Sequence, residues 1–358
     1  MAQYILKRLL LILPTLFGIM VINFVIVQFA PGGPVEQALA QATGFGSFSS
    51  TASVSSVESM GTAGESGYTG DSGLDPDMIA RIEKQFGFDK PAHERFFLMM
   101  ANYLVLDFGV SYFQDRPVTE IVGERIGVSI SLGLWALVLI YLISVPLGVA
   151  KATRDGERFD LWTSAAVFIA YAVPGYLVAI ILIVFFAGGS YFDWFPMRGL
   201  TSEDTSGFTF IEATLDYLHH LVLPLTALTL AGFATLTMLT KNSFLEELNK
   251  QFVLTAKAKG MTQQRVLYGH VFRNAMLIVI AGFPSAFVTI LFTGALLIEV
   301  IFSIEGIGLL SYEAVIKRDY PILFGTLFCF TLVGLTMQLI GDLIYTLVDP
   351  RIDFETRE

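Results

Sequence analysis

The chain has 358 residues, of which 54% are hydrophobic and only 15% charged, and its formal net charge at neutral pH is −10. Soluble proteins carry about 25% charged residues, so this composition excludes an ordinary soluble domain, and the acidic balance argues against a nucleic-acid partner. A lone cysteine, Cys329, excludes an internal disulfide framework.

A helix crossing the hydrocarbon core needs about 20 apolar residues. Six runs meet that length, at 9–30, 128–150, 161–187, 221–240, 275–298 and 321–341, and none contains Lys, Arg, Asp or Glu. They predict an all-α integral membrane protein with six transmembrane helices. The first run follows Lys7 and Arg8 and ends in VQFAPGG, with no small-x-small cleavage site, which predicts an uncleaved helix rather than a signal peptide. Residues 1–30 therefore form a short N-terminal tail and the first span.

A long loop follows, 31–127, expected outside the cytoplasm. Its residues 41–73 are rich in Gly, Ser and Thr, a composition that predicts flexibility. Residues 75–113 are expected to be helical, with Asp75 as cap and Pro76 in the first turn, and to form a small packed cap. The five remaining spans make up a helical transmembrane core over 128–348. Pro146, Pro174, Pro224 and Pro284 interrupt spans two to five, and proline frees a carbonyl and kinks a helix. Trp162 and Trp194 fall near opposite ends of the third span, as interface aromatics do. His219 and His220 are adjacent, so they point about 100° apart on a helix and make a poor metal pair; outer-interface hydrogen bonding suits them better.

The loop at 241–274 is too long for a turn between spans. It is expected to form two helices, KNSFLEELNKQFVLTAKAK and TQQRVLYGHVFRNA, separated by Gly260, with Thr262 capping the second. Thr255, Ala256 and Ala258 are small, and Lys257 and Lys259 flank them. Small side chains admit the close approach of another backbone. A lipid-bound helix would instead show a broad apolar face, so docking to a protein is the reading these residues favour. Two acids near membrane depth, Glu299 and Asp342, read either as a proton relay of a stand-alone ion-coupled transporter or as hydrogen-bonding contacts between helices. Their places near opposite faces favour helix contacts.

With the N-terminus inside, the tail, 151–160, 241–274 and 349–358 hold 13 Lys and Arg against 9 acids. The positive-inside rule then predicts that both termini and the 241–274 loop are cytoplasmic. No G-x-x-x-x-G-K-[ST], H-E-x-x-H, C-x-x-C or G-x-S-x-G motif occurs. The chain is therefore expected to be no enzyme and to hold neither cofactor nor metal.

The loop resembles the coupling loop of ABC importer permeases. Leu254, Thr255 and Ala256 stand at that loop's E-A-A positions, residues 257–259 fill the gap, and Gly260 is the motif glycine. Leu254 departs from the wider family's glutamate, and no proline closes the motif. TAKAKG and HVFRNA look like the peptide-uptake branch, the dipeptide and oligopeptide permeases. Further motifs of that branch occur in order: APGGPV, FGFDKP, LDFGVS, SVPLGV, EVIFSIEGIG, RDYP and VDPRI. The insertion after APGGPV looks most like Yej-type permeases, which serve peptide and microcin C uptake.

This resemblance implies a type I ABC importer fold of the methionine-permease kind and an inner-membrane location. It implies a second homologous permease, two ABC ATPase domains, an extracytoplasmic peptide-binding protein and a peptide substrate as partners, beside membrane lipids. By the same resemblance Leu254, Thr255, Ala256, Lys257, Ala258, Lys259 and Gly260 would couple to the ATPase. Glu299, Gly306 and Gly308 would belong to an outer gate, with Asp342 a further helix-contact candidate.

Overall fold

The computed structural model describes residues 2–29, 90–189, 191–202, 204–205, 207–291 and 295–348. The expected flexible segment 41–73, the expected cap at Asp75 and the tail 349–358 lie outside these residues. Among the described residues the chain is helical, and one isolated antiparallel bridge, Val110 to Pro117, is the extended pairing. We number the helices α1 (Ala2–Phe29), α2 (Ala92–Leu104), α3 (Val118–Thr153), α4 (Arg158–Ala172), α5 (Gly175–Phe186), α6 (Phe210–Leu248), α7 (Gln251–Ala258), α8 (Gln263–Thr289), α9 (Ala295–Ile301), α10 (Ile307–Lys317) and α11 (Tyr320–Val348).

Among the described residues, five helices are long and apolar enough to cross a membrane: α1, α3, α6, α8 and α11. The sixth span expected at 161–187 is the pair α4 and α5, bent by 91° at its break. Pro174 causes the break. The residue before a proline is pushed out of the helical region, and Val173 is extended at φ −90°, ψ 120°. Pro146 and Pro224, by contrast, sit inside α3 and α6 without ending them. The fifth span is displaced from its expected 275–298. Helix α8 begins at Gln263 and absorbs the second predicted loop helix through a π-helical turn at Leu267–Val271.

The first predicted loop helix is likewise two pieces. Residues 241–248 continue α6, which a Thr209–Glu212 capping box starts. The Asn249 side chain then donates to the Leu245 carbonyl at 2.9 Å, Lys250 turns extended, and α7 restarts. Thr262 does occupy the N-terminal boundary of α8, but its backbone carbonyl rather than its hydroxyl makes the contact, accepting from Val266 N at 3.0 Å.

The chain divides into two compact units, residues 1–14, 122–312 and 328–358 in one and 15–121 and 313–327 in the other. Within the first, Leu132, Ala179, Leu221, Leu225, Ala295 and Phe302 belong to one buried cluster. Glycines set the close approaches. A Cβ on Gly148 would lie 2.6 Å from Thr240 Cβ, and one on Gly175 would lie 2.9 Å from the Ala227 carbonyl oxygen. In lipid, tight backbone packing of this kind replaces the hydrophobic drive that water supplies.

In the second unit, helical structure stops at Leu104, short of the expected 113. Residues 109–118 form a tight hairpin closed by Val118 N to Gly109 O at 2.9 Å. Buried Asp319 pins it, accepting from Ser111 Oγ at 2.5 Å and from Tyr112 N at 3.3 Å. Burial, with the Asp319 charge beside it, pushes the Tyr112 phenol up to about 12.

Candidate functional site

The coupling residues expected from sequence lie on α7 and the turn after it, with one face out and one in. Leu254, Thr255, Lys257, Ala258, Lys259 and Gly260 are exposed, whereas Val253 and Ala256 are buried. The two buried residues belong to an apolar cluster with Val149 and Ala152 of α3, Phe244 of α6 and Val271 of α8. Ala256 is thus an anchor of the helix rather than part of its outer face. Gly260 has φ +81°, a left-handed conformation that side chains disfavour. Its N–H donates to the Lys257 carbonyl at 2.9 Å, and Met261 N donates to Ala256 O at 3.3 Å, so the turn closes back on α7. At the other end of α7 the Glu247 carboxylate holds the Lys250 ammonium above its ordinary range.

Beside this loop lies an ion cluster that sequence reasoning missed. Lys151 was legible only as one of the basic loop residues, yet its side chain is fully buried. Its Nζ donates to Ser164 Oγ at 2.7 Å, Thr163 Oγ1 at 2.9 Å and the Asp160 carbonyl at 3.0 Å, and pairs with Asp160 Oδ1 at 3.0 Å. Lys241 pairs with the other Asp160 oxygen at 2.7 Å and with Asp155 at 2.8 Å. One buried carboxylate therefore ties α3, α4 and α6 together at the ends from which the loop emerges. A lysine followed nine residues later by an aspartate, across a short turn between two spans, was the available signal.

Glu299, Gly306 and Gly308 do come together. Glu299 is fully buried on α9. Its Oε1 accepts from Ser129 Oγ at 2.6 Å and its Oε2 from Leu309 N at 3.0 Å. Ser129 Oγ in turn accepts from Ile307 N at 2.8 Å. The first turn of α10 thus satisfies two of its unpaired N–H groups on a carboxylate and on the hydroxyl that carboxylate orients, as helix N-termini favour. The glycines make room. A Cβ on Gly306 would lie 2.4 Å from the Glu299 carboxyl, and one on Gly308 would lie 2.8 Å from Glu299 Oε2 and from the Leu296 backbone. Ser129, on α3 and 170 residues away in sequence, is the member that sequence reasoning did not name. Arg125, one turn earlier on α3, pairs with Glu305 at 2.8 Å.

Asp342 has a different partner, Arg8 of α1, at 2.9 Å. Each acid thus closes a contact between segments separated in sequence. Both histidines meet backbone carbonyls: His219 Nε2 lies 2.8 Å from the Trp194 carbonyl and His220 Nδ1 2.8 Å from the Asp216 carbonyl. No group of three His, Cys, Asp or Glu suited to a metal occurs among the described residues.

A family model described as the binding-protein-dependent transport system inner membrane component matches residues 144–354, more than half the chain. The span takes in the ion cluster, the loop, Glu299 and Asp342. The peptidoglycan transport system permease protein YejB of Agrobacterium fabrum is 56% identical over 363 residues, covering 100% of both chains. The inner membrane ABC transporter permease protein YejB of Escherichia coli is 53% identical over 365 residues, again covering 100% of both. The oligopeptide transport system permease protein AppB of Bacillus subtilis is 30% identical over 99% of this chain and 100% of its own. Among solved structures, the inward-facing MetNI methionine ABC transporter matches with a TM-score of 0.51 at 16% identity, over 64% of this chain and 97% of that one. At that identity the likeness concerns the fold. Full-length similarity and the family match agree: the chain belongs to the family of binding-protein-dependent transport system inner membrane components and is an ABC transporter permease.

Proposed function

We propose that this permease imports peptides across the bacterial inner membrane, driven by ATPases that act on the exposed ridge of α7 and Gly260. The observation that carries the reading is the two-sidedness of α7. Its outer face offers Leu254, Thr255, Lys257 and Lys259 to a partner, while Val253 and Ala256 key its inner face into α3, α6 and α8. A helix so anchored transmits a push to three spans at once, because close-packed interiors deform little and pass displacement on. The peptide cargo rests on the relatives, one of which is an oligopeptide permease by name; within that class, peptide antibiotics of the microcin C kind are a cargo to test. ATP hydrolysis belongs to two ABC domains on partner subunits, and the translocation path forms with a second homologous permease. An extracytoplasmic binding protein delivers the peptide. Both termini and the loop lie on the cytoplasmic side, as the charge distribution favours. Glu299 fixes the start of α10 as part of a gate on the opposite side.

Gly260→Val tests this in the reconstituted importer. The site has open space but a φ of +81°, so a β-branched residue there reshapes the turn at a cost of about 1–2 kcal/mol without disturbing the spans. Membrane insertion and subunit assembly are expected to persist while ATP-driven peptide uptake falls at least about tenfold, a loss of about 1.4 kcal/mol of coupling. Normal uptake in the variant would count against the coupling ridge.

A further inference from the structure

Helix α2 carries more apolar surface than its protein contacts use. In AHERFFLMMANYL, Phe96 and Tyr103 point inward and are buried. Phe97, Leu98 and Leu104 point elsewhere and are 64%, 47% and 74% exposed, and Val105 and Leu106 continue the patch at 75% and 54%. Phe97, Ala101 and Leu104 are spaced i, i+4, i+7, so they form one stripe. Arg95 and Asn102, seven apart, share a different flank. Exposed Glu94 and His93, three and four residues before Phe97, make the N-terminal end of that side polar, so the bare apolar surface runs from Phe97 to Leu106. A contiguous bare apolar face marks a surface that something apolar covers.

Helix α1 supplies the identity of that covering. The Phe96 ring packs edge-on against Phe17 at 5.8 Å and against Phe24 at 5.2 Å. Those two residues are two turns apart on a membrane-crossing helix, about 10 Å along its axis. Helix α2 therefore packs, through Phe96, against the second half of a span. The neighbouring face of that span is itself bare and apolar, with Phe17, Ile22, Val25 and Ile26 exposed by 45% to 61%. The ring of Phe97 touches that of Phe96 at 5.7 Å, so the α2 stripe continues from that bare face of a span.

The backbone holds the patch outward. Leu106 ends the helix at φ +59°, a left-handed conformation that strains a residue with a side chain. It is locked by Leu106 N to Tyr103 O at 3.1 Å, by Asp107 N to Asn102 O at 3.0 Å, and by the edge-on rings of Tyr103 and Phe108 at 4.9 Å. The result is that Leu104, Val105 and Leu106 stand exposed in a row.

We propose that α2 is an interfacial helix, and that Phe97, Leu104 and Val105 sit in the acyl–headgroup boundary of the leaflet crossed by the second half of α1. Helix α2 carries His93, Glu94 and Arg95 but no run of basic residues, so the contact is with apolar lipid and needs no anionic headgroup. The Tyr103–Phe108 ring contact then links this membrane-seated helix to the start of the 109–118 hairpin.

Spin labels placed singly at Phe97→Cys, Leu104→Cys and Asn102→Cys test the assignment. The background is Cys329→Ser in the assembled importer, its other subunits free of reactive cysteine, reconstituted in phosphatidylcholine vesicles. The expected result is that oxygen, which concentrates in lipid, relaxes labels at 97 and 104 more than an aqueous nickel chelate does. The label at 102 is expected to show the reverse order, and added anionic lipid is expected to leave the pattern unchanged. Nickel dominance at both 97 and 104 would overturn the proposal and make the patch a docking face for a soluble partner. Shielding of both from either agent would equally overturn it and place the patch against another membrane subunit.

Discussion

Glu299 shows how much a single side chain organises. A carboxylate away from water is costly unless its oxygens are satisfied, and here Ser129 and the Leu309 N–H do that. Gly306→Ala is expected to destabilise the protein by about 1–3 kcal/mol through overpacking, because its Cβ would fall on the carboxyl group. Glu299→Ala leaves the Leu309 N–H and one direction of the Ser129 hydroxyl unmet, at about 1–3 kcal/mol for each buried group left without a partner. Glu299→Gln keeps an acceptor and is expected to cost less than Glu299→Ala. Thermal unfolding of the purified protein in detergent ranks the three; equal melting temperatures for Ala and Gln would contradict the hydrogen-bonding account. Asp160 is the second such residue. Asp160→Ala strands fully buried Lys151, and breaking a buried pair from one side costs about 3–5 kcal/mol. Lys151→Met leaves Asp160 still paired with Lys241, so it is expected to be the milder change in the same melt.

Among the helices, the glycine contacts separate tolerant from intolerant positions. Gly148 faces Thr240 Cβ at 2.6 Å and the Thr237 carbonyl at 2.9 Å, whereas Gly232 faces the Cδ1 end of Ile140 at 2.4 Å. A side-chain tip can turn aside and a backbone carbonyl cannot. Gly148→Ala is therefore expected to lower the melting temperature more than Gly232→Ala, and the reverse order would contradict the α3–α6 packing. At this scale the sequence was a good guide to which stretches are apolar and a poorer one to where they bend or stop. Pro146, Pro174 and Pro224 look alike in a string of letters. Val173 turns extended before Pro174, while α3 and α6 run on through theirs. The stop at Asn249 was hidden for a related reason, since a side chain bonding back to Leu245 ends α6 inside a pattern that still reads as helix. Gly260 was legible because left-handed turns select glycine so strongly. Ser129 was not, because nothing local relates it to a glutamate 170 residues on.

For the whole molecule, the family match and full-length similarity make the chain a permease, and the proposal made above has a partner ATPase drive it through α7. Val253 and Ala256 face in, and the motif residues around them face out. The Lys151–Asp160–Lys241 cluster ties the ends of α3, α4 and α6 together, and under that proposal it would pass motion of α7 on to the spans. The central claim is that an ATPase seats on this ridge, and cysteine cross-linking tests it most directly. In the assembled importer with Cys329→Ser, Lys257→Cys is expected to form a short-linker cross-link to the ATPase subunit, with a yield that changes on ATP binding. Val253→Cys, one turn away and buried, is expected to form none. A Lys257→Cys chain that never cross-links to the ATPase, with or without nucleotide, would contradict the account.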